Sequence, residues 1–200
     1  MSKRTYASEK RRAEILAAAL QTISSRGLYN TTITHIREQS GASIGSIYHH
    51  FGNREGVVAA LYKECLADCF AAMAQALVRE NDTETGIKTI VQAYLTWVET
   101  HSQKASFVYD ASQGQLLRAY VDEILAFKAE LYQSIFSWME PRIVAGELIA
   151  LPSWAYDAIM MGPAHEFARR WLGGMREMSM ADAKVVIGTA VWRAVRPEQT

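Results

Sequence analysis

Residues 31–51, TTITHIREQSGASIGSIYHHF, restrict the fold more than any other stretch of the chain. Apolar side chains recur at helical spacing on both sides of a central glycine, at Ile33, Ile36, Ile44, Ile47 and Phe51. Gly41 and Ala42 close the first short helix, and Ser43 is a suitable N-cap for the second. Two helices joined by such a turn predict a helix-turn-helix, whose second helix enters the major groove of DNA.

The second helix of this pair carries small and polar side chains that a buried helix would not need. Gly45 and Ser46 allow the backbone to approach a groove wall closely. The side chains left to meet base edges and phosphates are those of Ser43, Tyr48, His49 and His50. Two structural alternatives stay open, because Tyr48 can be a core aromatic residue with a surface hydroxyl group, and His50 can simply pack beside Phe51.

The charge is unevenly distributed along a chain whose formal net charge is zero. Residues 1–55 contain eight Lys and Arg against four Glu, a balance of 8 − 4 = +4, so the remainder carries 13 − 17 = −4. A basic first quarter indicates contact with a polyanion, although charge runs usually only solvate a surface.

The rest of the sequence also follows helical periodicity, and it contains no convincing strand. An amphipathic first helix is predicted, with Ser8 as its N-cap and Gly27 just beyond its end. A fourth helix of about 40 Å is predicted from near Asn53 to about Arg79, long enough to bridge two domains. Further helices are predicted over 84–100, 103–111, 116–140, 154–173 and 179–195.

Two prolines should interrupt the later helices. Pro141 is expected to break the chain after the helix over 116–140, and Pro163 should kink or restart the penultimate helix. The sequence therefore predicts an all-α protein of about nine helices. Its domains are an N-terminal three-helix helix-turn-helix DNA-binding domain over 1–55 and a helical domain over 56–200, joined by the long fourth helix.

The usual signatures of an enzyme do not appear: no Gly-rich phosphate loop, no Glu-x-x-His pair on a bundle helix and no nucleophile elbow. Cys65 and Cys69 share a helix face and cannot easily form a disulfide across one turn. We expect two small core residues there, with a thiol sensor or half of a metal site as the alternative. No catalytic residue, cofactor or metal is expected.

The opening residues, MSKRTYASEKRR, lack the apolar stretch of a signal peptide. No apolar run approaches the roughly 18 residues that suggest a membrane span. We therefore expect a cytoplasmic protein with no membrane partner.

The block from Arg11 to Leu61 resembles the DNA-binding domain of the TetR/AcrR (tetracycline-repressor-like) family. The family pattern is approximately T-T-x-x-x-I-A-x-x-A-G-V-S-x-G-x-x-Y-x-H-F-x-x-K-x-x-L, and the corresponding residues here are TTITHIREQSGASIGSIYHHFGNREGVVAAL. The match covers a quarter of the chain, with the small residues, the aromatic pair and a basic residue in register. The total length and the all-helical remainder are also typical of the family.

The resemblance implies which residues contact DNA: Thr32, Thr34, Arg37, Ser43, Ile44, Gly45, Ser46, Tyr48, His49, His50 and Arg54. Thr32 should cap the first helix of the pair and touch a phosphate, while Thr34 should reach a base. Phe51 should pack inward. Arg54 stands where the family usually has lysine, in the first turn of the fourth helix, where exposed amides favour an anion, so it should clamp a phosphate.

Three departures from the family pattern affect how the two helices cross. Arg37 and Ser40 replace alanines, and Ala42 replaces a larger apolar residue. The Arg37 side chain should therefore lie along the edge, with its stem over apolar surface and its charge toward DNA. His35 is expected only to be exposed.

In TetR-like proteins the C-terminal body binds a small molecule and forms the dimer, generally through its last two helices. Here those helices combine small residues, which permit close approach, with aromatic anchors. The residues predicted for dimerisation are Gly162, Ala164, Phe167, Ala168, Trp171, Gly188 and Trp192. The alternative is that both helices only cover the core of one subunit.

The middle helices are rich in aromatic residues, which favours an apolar or aromatic effector. Aromatic residues at helical spacing are nevertheless more often core than pocket. The candidate effector-binding residues are Tyr94, Trp97, Phe107, Tyr109, Arg118, Tyr132, Phe136 and His165.

Together these features predict a homodimeric, ligand-responsive repressor that binds double-stranded DNA at a palindromic operator. One alternative is a DNA-binding protein without a small-molecule effector. The other, from a different class, is a small helical enzyme acting on hydrophobic substrates.

Overall fold

The computed structural model describes residues 3–198. Its helices are α1 (Lys3–Arg26), α2 (Ile33–Ser40), α3 (Ile44–Phe51), α4 (Arg54–Leu77), α5 (Thr83–Thr100), α6 (Ser102–Ser112), α7 (Val121–Val144), α8 (Ser153–Tyr156), α9 (Gly162–Leu172) and α10 (Met180–Val195). A 3₁₀ turn covers Arg118–Tyr120, and a π-helical turn covers Asp157–Met161. No strand lies within residues 3–198, and the predicted all-helical fold is confirmed.

The chain divides into two compact units. The first comprises the residues up to Leu66 together with Gln103–Phe127, and the second comprises Ala67–Ser102 together with the residues from Lys128 onward. Helices α4 and α7 therefore contribute residues to both units. The domain boundary predicted after residue 55 stays a prediction.

Local capping explains why α2 and α3 are short separate helices. The Thr32 hydroxyl oxygen accepts a hydrogen bond from the His35 amide at 3.3 Å, and the Ser43 hydroxyl oxygen accepts one from the Ser46 amide at 3.1 Å. Gly41 ends α2 with φ at +63°, a conformation that residues with a Cβ rarely adopt. The predicted Thr32 and Ser43 caps are thus observed.

The core of the first unit is formed by the inward faces of these helices. Its fully or almost fully buried side chains include Ile15, Leu16, Ile36, Ile47, Phe51 and Val57. Phe51 packs inward, as the family resemblance implied. These contacts fix α3 in place with only one of its faces covered.

The predicted start of α1 at Ser8 is wrong, because the helix already includes Lys3. Arg, Lys and Ala are good helix formers, and no strong breaker lies between Lys3 and Ser8. The predicted end of the helix is correct, since Gly27 follows it with φ at +82°.

The predicted break at Pro141 is also wrong, because α7 continues through Pro141 to Val144. Tertiary contacts hold this last turn despite the missing N–H group of the proline. Trp138 Nε1 donates to the Glu80 carbonyl at 2.8 Å, and Arg142 Nη2 donates to the same oxygen at 3.2 Å. The Arg142 guanidinium also lies 3.7 Å from the centroid of the Trp138 ring.

In the second unit, α10 packs along α5, and α9 contacts both of these helices. The π-helical turn precedes Gly162 and Pro163, so the predicted kink or restart at this point is observed. Among residues 3–198, no helix has the length and apolar character that a membrane crossing requires. Within the same residues, no group of three or more His, Cys, Asp or Glu side chains is placed to hold a metal ion.

Candidate DNA-binding interface

Helix α3 has one packed face and one face directed to solvent. Ile47 and Phe51 are buried, whereas Ile44 is 43% exposed and Tyr48 is 49% exposed. The other exposed residues of this face are Ser43, Gly45 and His49, with Ser46 and His50 half-buried beside them. The solvent face therefore contains all seven residues predicted from Ser43 to His50 for DNA contact. Tyr48 is not a core residue, so that alternative is excluded.

Gly45 is not required by the packing of the protein itself. A Cβ atom at this position would meet only the Ser43 hydroxyl oxygen, at 4.0 Å. Its φ is negative, so an L-residue could occupy the site without strain. Glycine in a helix costs about 1 kcal/mol relative to alanine, and here no contact inside the chain offsets that cost.

Helix α2 presents the other predicted contacts. Thr32, Thr34 and Arg37 are exposed. Arg37 Nη2 lies 3.3 Å from a carboxylate oxygen of Glu38. His35 has a task that sequence reasoning missed, because its Nδ1 accepts a hydrogen bond from the Thr32 amide at 3.3 Å. Together with the Thr32 cap this completes a capping box. The sequence gives only a weak signal for this capping box, because the residue that bonds back to the N-cap amide is normally Glu or Gln.

Arg54 has partners inside the protein. Its Nε donates to the Thr31 carbonyl at 2.6 Å, and its Nη2 donates to the Leu28 carbonyl at 2.7 Å. The side chain is only 22% exposed, and Nη1 lies 3.6 Å from a carboxylate oxygen of Glu55. In the free protein, Arg54 therefore fastens the turn between α1 and α2 to the start of α4. Its predicted phosphate contact stays a prediction.

His50 is half-buried in the last turn of α3. Its ring centroid is 5.8 Å from that of Phe51, which supports the packing alternative. Burial lowers the pKa of His50, and the neighbouring His49 and Arg12 lower it further, while Glu9 opposes them. His50 is therefore disfavoured as a cation, and a neutral imidazole can still donate or accept a hydrogen bond.

Comparison with known proteins places this interface in a family. The family profile described as "Bacterial regulatory proteins, tetR family" matches residues 15–61, which include all of α2 and α3. Residues 15–61 of the chain therefore belong to the TetR family. The HTH-type transcriptional regulator BetI of Burkholderia ambifaria is 33% identical to it over 86 residues, which are 42% of this chain and 44% of that relative. The chain thus spans less than half the length of the curated relative that it matches.

Solved structures of the TetR family share the fold of nearly the whole chain. A TetR family transcription regulator from Marinobacter aquaeolei VT8 has a TM-score of 0.79 and 15% identity, covering 98% of this chain and 100% of that one. FadR from Bacillus subtilis, solved in complex with stearoyl-CoA, has a TM-score of 0.75 and 17% identity, covering 90% and 96%. The match of residues 15–61 to a family of regulatory proteins supports the expectation that the protein is not an enzyme.

The predicted effector residues fall in both units. Phe107, Tyr109 and Arg118 belong to the first unit, and the five others belong to the second: Tyr94, Trp97, Tyr132, Phe136 and His165. Phe107 is 2% exposed and Trp97 is 5% exposed. Trp97 Nε1 also donates to a carboxylate oxygen of Asp68 at 3.0 Å, so Trp97 anchors the core.

Tyr132 and Phe136 lie in an aromatic cluster of the second unit. The Tyr132 hydroxyl group donates to Asp157 Oδ1 at 2.6 Å, and its ring centroid is 4.9 Å from that of Phe70. The Phe136 ring centroid is 6.0 Å from that of Tyr156. Sequence reasoning missed Phe70, Tyr156 and Asp157. The only signal for the last two was their position just before the predicted kink.

A second aromatic pair joins α5 and α9. The rings of Tyr94 and His165 lie edge to face, 4.9 Å apart. Burial lowers the pKa of His165, with opposing effects from Asp157, which raises it, and Lys128, which lowers it further. His165 is thus disfavoured as a cation inside the second unit.

Three of the residues predicted for dimerisation pack within the subunit. Ala164 and Ala168 are completely buried, and a Cβ on the buried Gly188 would come within 3.5 Å of Lys88. Their small size therefore serves the packing of α5, α9 and α10, and a partner could not reach them without moving these helices. The other four are half-buried: Gly162, Phe167, Trp171 and Trp192.

Proposed function

We propose that this TetR-family protein is a homodimeric transcription regulator that represses genes by binding a palindromic operator and leaves it when a small apolar or aromatic effector binds. The observation that carries the proposal is the solvent face of α3, where Gly45 occupies a site that the protein could fill with a larger residue. A glycine there makes sense when another molecule presses on the helix. The groove of a DNA duplex supplies such a surface.

The proposed dimer explains an apolar face on α10. Val185 is 63% exposed and Val186 is 52% exposed, although Gly188 on the same helix is buried against Lys88 of α5. Exposed valines on a long terminal helix favour a contact with a second copy of the chain, and a two-fold axis would then pair the two α3 helices. Two-fold symmetry implies an operator with two inverted half-sites about 34–36 Å apart.

The proposed effector site is the aromatic cluster around Tyr132 and Phe136. Both residues are only half-buried, and the Tyr132–Asp157 hydrogen bond adds a polar group to an otherwise apolar lining. The stearoyl-CoA complex of the structurally similar FadR supports an effector with a long apolar part. Helix α4 supplies Phe70 to this cluster and also begins at Arg54, so a shift of α4 can link effector binding to DNA release.

Fluorescence anisotropy tests this function. The protein is titrated onto labelled DNA taken from beside its own gene, at fixed salt, and panels of acyl and aromatic compounds are then added. We expect compounds of one chemical class to release the protein from the DNA. A Phe136→Ala variant should bind the same DNA but should not be released by these compounds. Tight binding that no compound disturbs would retain the DNA-binding role and overturn the effector role.

A further inference from the structure

From Arg4 onward, the side chains in the first two turns of α1 are all exposed to solvent. Every residue from Arg4 to Arg11 is exposed, including Tyr6 at 66%. These turns continue the packed part of α1, and their cationic side chains are accessible to a partner outside the chain. These turns also precede residues 15–61, which the family profile matches, so they are a feature of this chain rather than of the profile.

The charge of these turns identifies the partner's chemistry. Residues 3–11 contain four cations against the single carboxylate of Glu9, at Lys3, Arg4, Lys10 and Arg11. Of these, Arg11 pairs with Glu14 at 2.8 Å. The excess of positive charge favours a polyanion, and phosphate groups are the anions that regularly spaced Lys and Arg contact on DNA.

These turns lie near α3, the helix proposed to enter the DNA groove. The Arg12 guanidinium lies 5.6 Å from the centroid of the Phe51 ring, and Glu9 and Arg12 both act electrostatically on His50. Residues 9 and 12 therefore lie against the C-terminal turn of α3. At 1.5 Å per residue, Arg4 lies about 8 Å farther along the axis of α1 than Glu9.

We propose that the N-terminal turns of α1, through Arg4 and Lys10, bind duplex DNA phosphates that flank each operator half-site. This inference rests on the proposed DNA-binding function. The contact is independent of sequence and extends the footprint of each subunit past the base pairs that α3 reaches. It should raise affinity and its dependence on salt, with no effect on the choice between operator sequences.

The test combines a double variant, Arg4→Gln with Lys10→Gln, with two lengths of DNA. Glutamine has a helix propensity close to those of arginine and lysine, so α1 should keep its helix, which circular dichroism verifies. The matched control replaces two exposed cations of the second unit, Arg79→Gln with Arg196→Gln. The long duplex extends about 6 base pairs, roughly 20 Å, beyond each half-site, and the short duplex ends at the half-sites.

On the long duplex we expect the variant dimer to lose up to four phosphate contacts. The slope of log K against log salt should fall by roughly 3 to 4, and affinity should drop about ten-fold or more at 150 mM salt. On the short duplex the variant and the wild type should bind equally, and the control should match the wild type on both. Equal binding on the long duplex, or an equal loss on both duplexes, would overturn the inference. If the wild type itself prefers no operator over a scrambled duplex, the proposed function fails and this inference fails with it.

Discussion

Single residues of the candidate interface differ in whether the chain itself needs them. Gly45 has open space around it, so the protein gains nothing from its missing side chain. Arg54 is the opposite case, because its guanidinium holds backbone carbonyls of the turn before α2. A substitution at each site therefore separates a binding role from a structural one.

Replacement of Gly45 by alanine should stabilise the protein and weaken DNA binding. Alanine in the helix should raise the free energy of unfolding by about 0.5–1 kcal/mol, while its methyl group holds α3 away from the groove. Urea denaturation and anisotropy on the same preparation measure both effects. Tighter or unchanged operator binding would contradict the interpretation of this face.

Replacement of Arg54 by alanine should destabilise the protein. Leaving the Leu28 and Thr31 carbonyls without their charged donor should lower the free energy of unfolding by about 3 kcal/mol. Lysine should restore less than half of that, because it lacks the planar set of donors. Urea denaturation is again the measurement, with the exposed Arg37→Ala as control. Unchanged stability together with a flatter salt dependence would instead establish a phosphate contact.

His165, half-buried in α9, should make the protein less stable in mild acid. Because burial lowers the pKa of His165, the unfolded chain takes up a proton at about pH 6.5, before the folded chain does. Stability should therefore fall as the pH decreases through that value, and His165→Gln should reduce the fall. Urea midpoints at about pH 7.5 and 5.5 compare the two proteins. An identical fall in both would contradict the role of His165.

At the scale of elements, most boundaries followed from residues with a local effect. Gly41, Ser43 and Thr32 act within one turn, and the helices begin and end where these residues predict. The end of α7 depends instead on Trp138 and Arg142 reaching a carbonyl 58 or more residues away in sequence, and no local pattern contains that contact. The Arg54 contacts, which span 23 and 26 residues, were missed for the same reason.

The junction between α5 and α7 depends on a glycine. A Cβ on Gly86 would lie 2.1 Å from the Trp138 ring, which its hydrogen bond to Glu80 holds in place. Gly86→Ala should therefore lower the free energy of unfolding by about 1–3 kcal/mol. Gly162 has open space and a helical φ of −51°, so the matched Gly162→Ala should change the free energy of unfolding by no more than about 0.5 kcal/mol. Thermal or urea denaturation measures the stability of both variants. An equal change in the two would contradict the close packing of Gly86 against the Trp138 ring.

At the scale of the whole molecule, the sequence predicted the class of architecture better than its interfaces. Small residues in α9 and α10 were interpreted as dimer contacts, yet Ala164, Ala168 and Gly188 serve the interior of one subunit. Small residues permit close packing without specifying the partner, so sequence alone could not distinguish the two uses. The exposed valines of α10 now define the proposed dimer face.

Charges placed on that face should separate the subunits. Val185→Asp with Val186→Asp should give a sedimentation mass of one chain instead of two, because a dimer would bury four carboxylates in an apolar contact. The control is Val144→Asp, at a position 84% exposed at the end of α7. A dimer that survives both aspartates would place the interface elsewhere.

The number of chains bound to each DNA duplex tests the proposed function most directly. The wild-type protein is titrated onto labelled DNA from beside its own gene, and binding stoichiometry is measured by anisotropy, with a scrambled duplex of the same length as reference. The proposed homodimer predicts two chains per duplex and a clear preference over the scrambled sequence. One chain per duplex, or equal binding to both sequences, would contradict it.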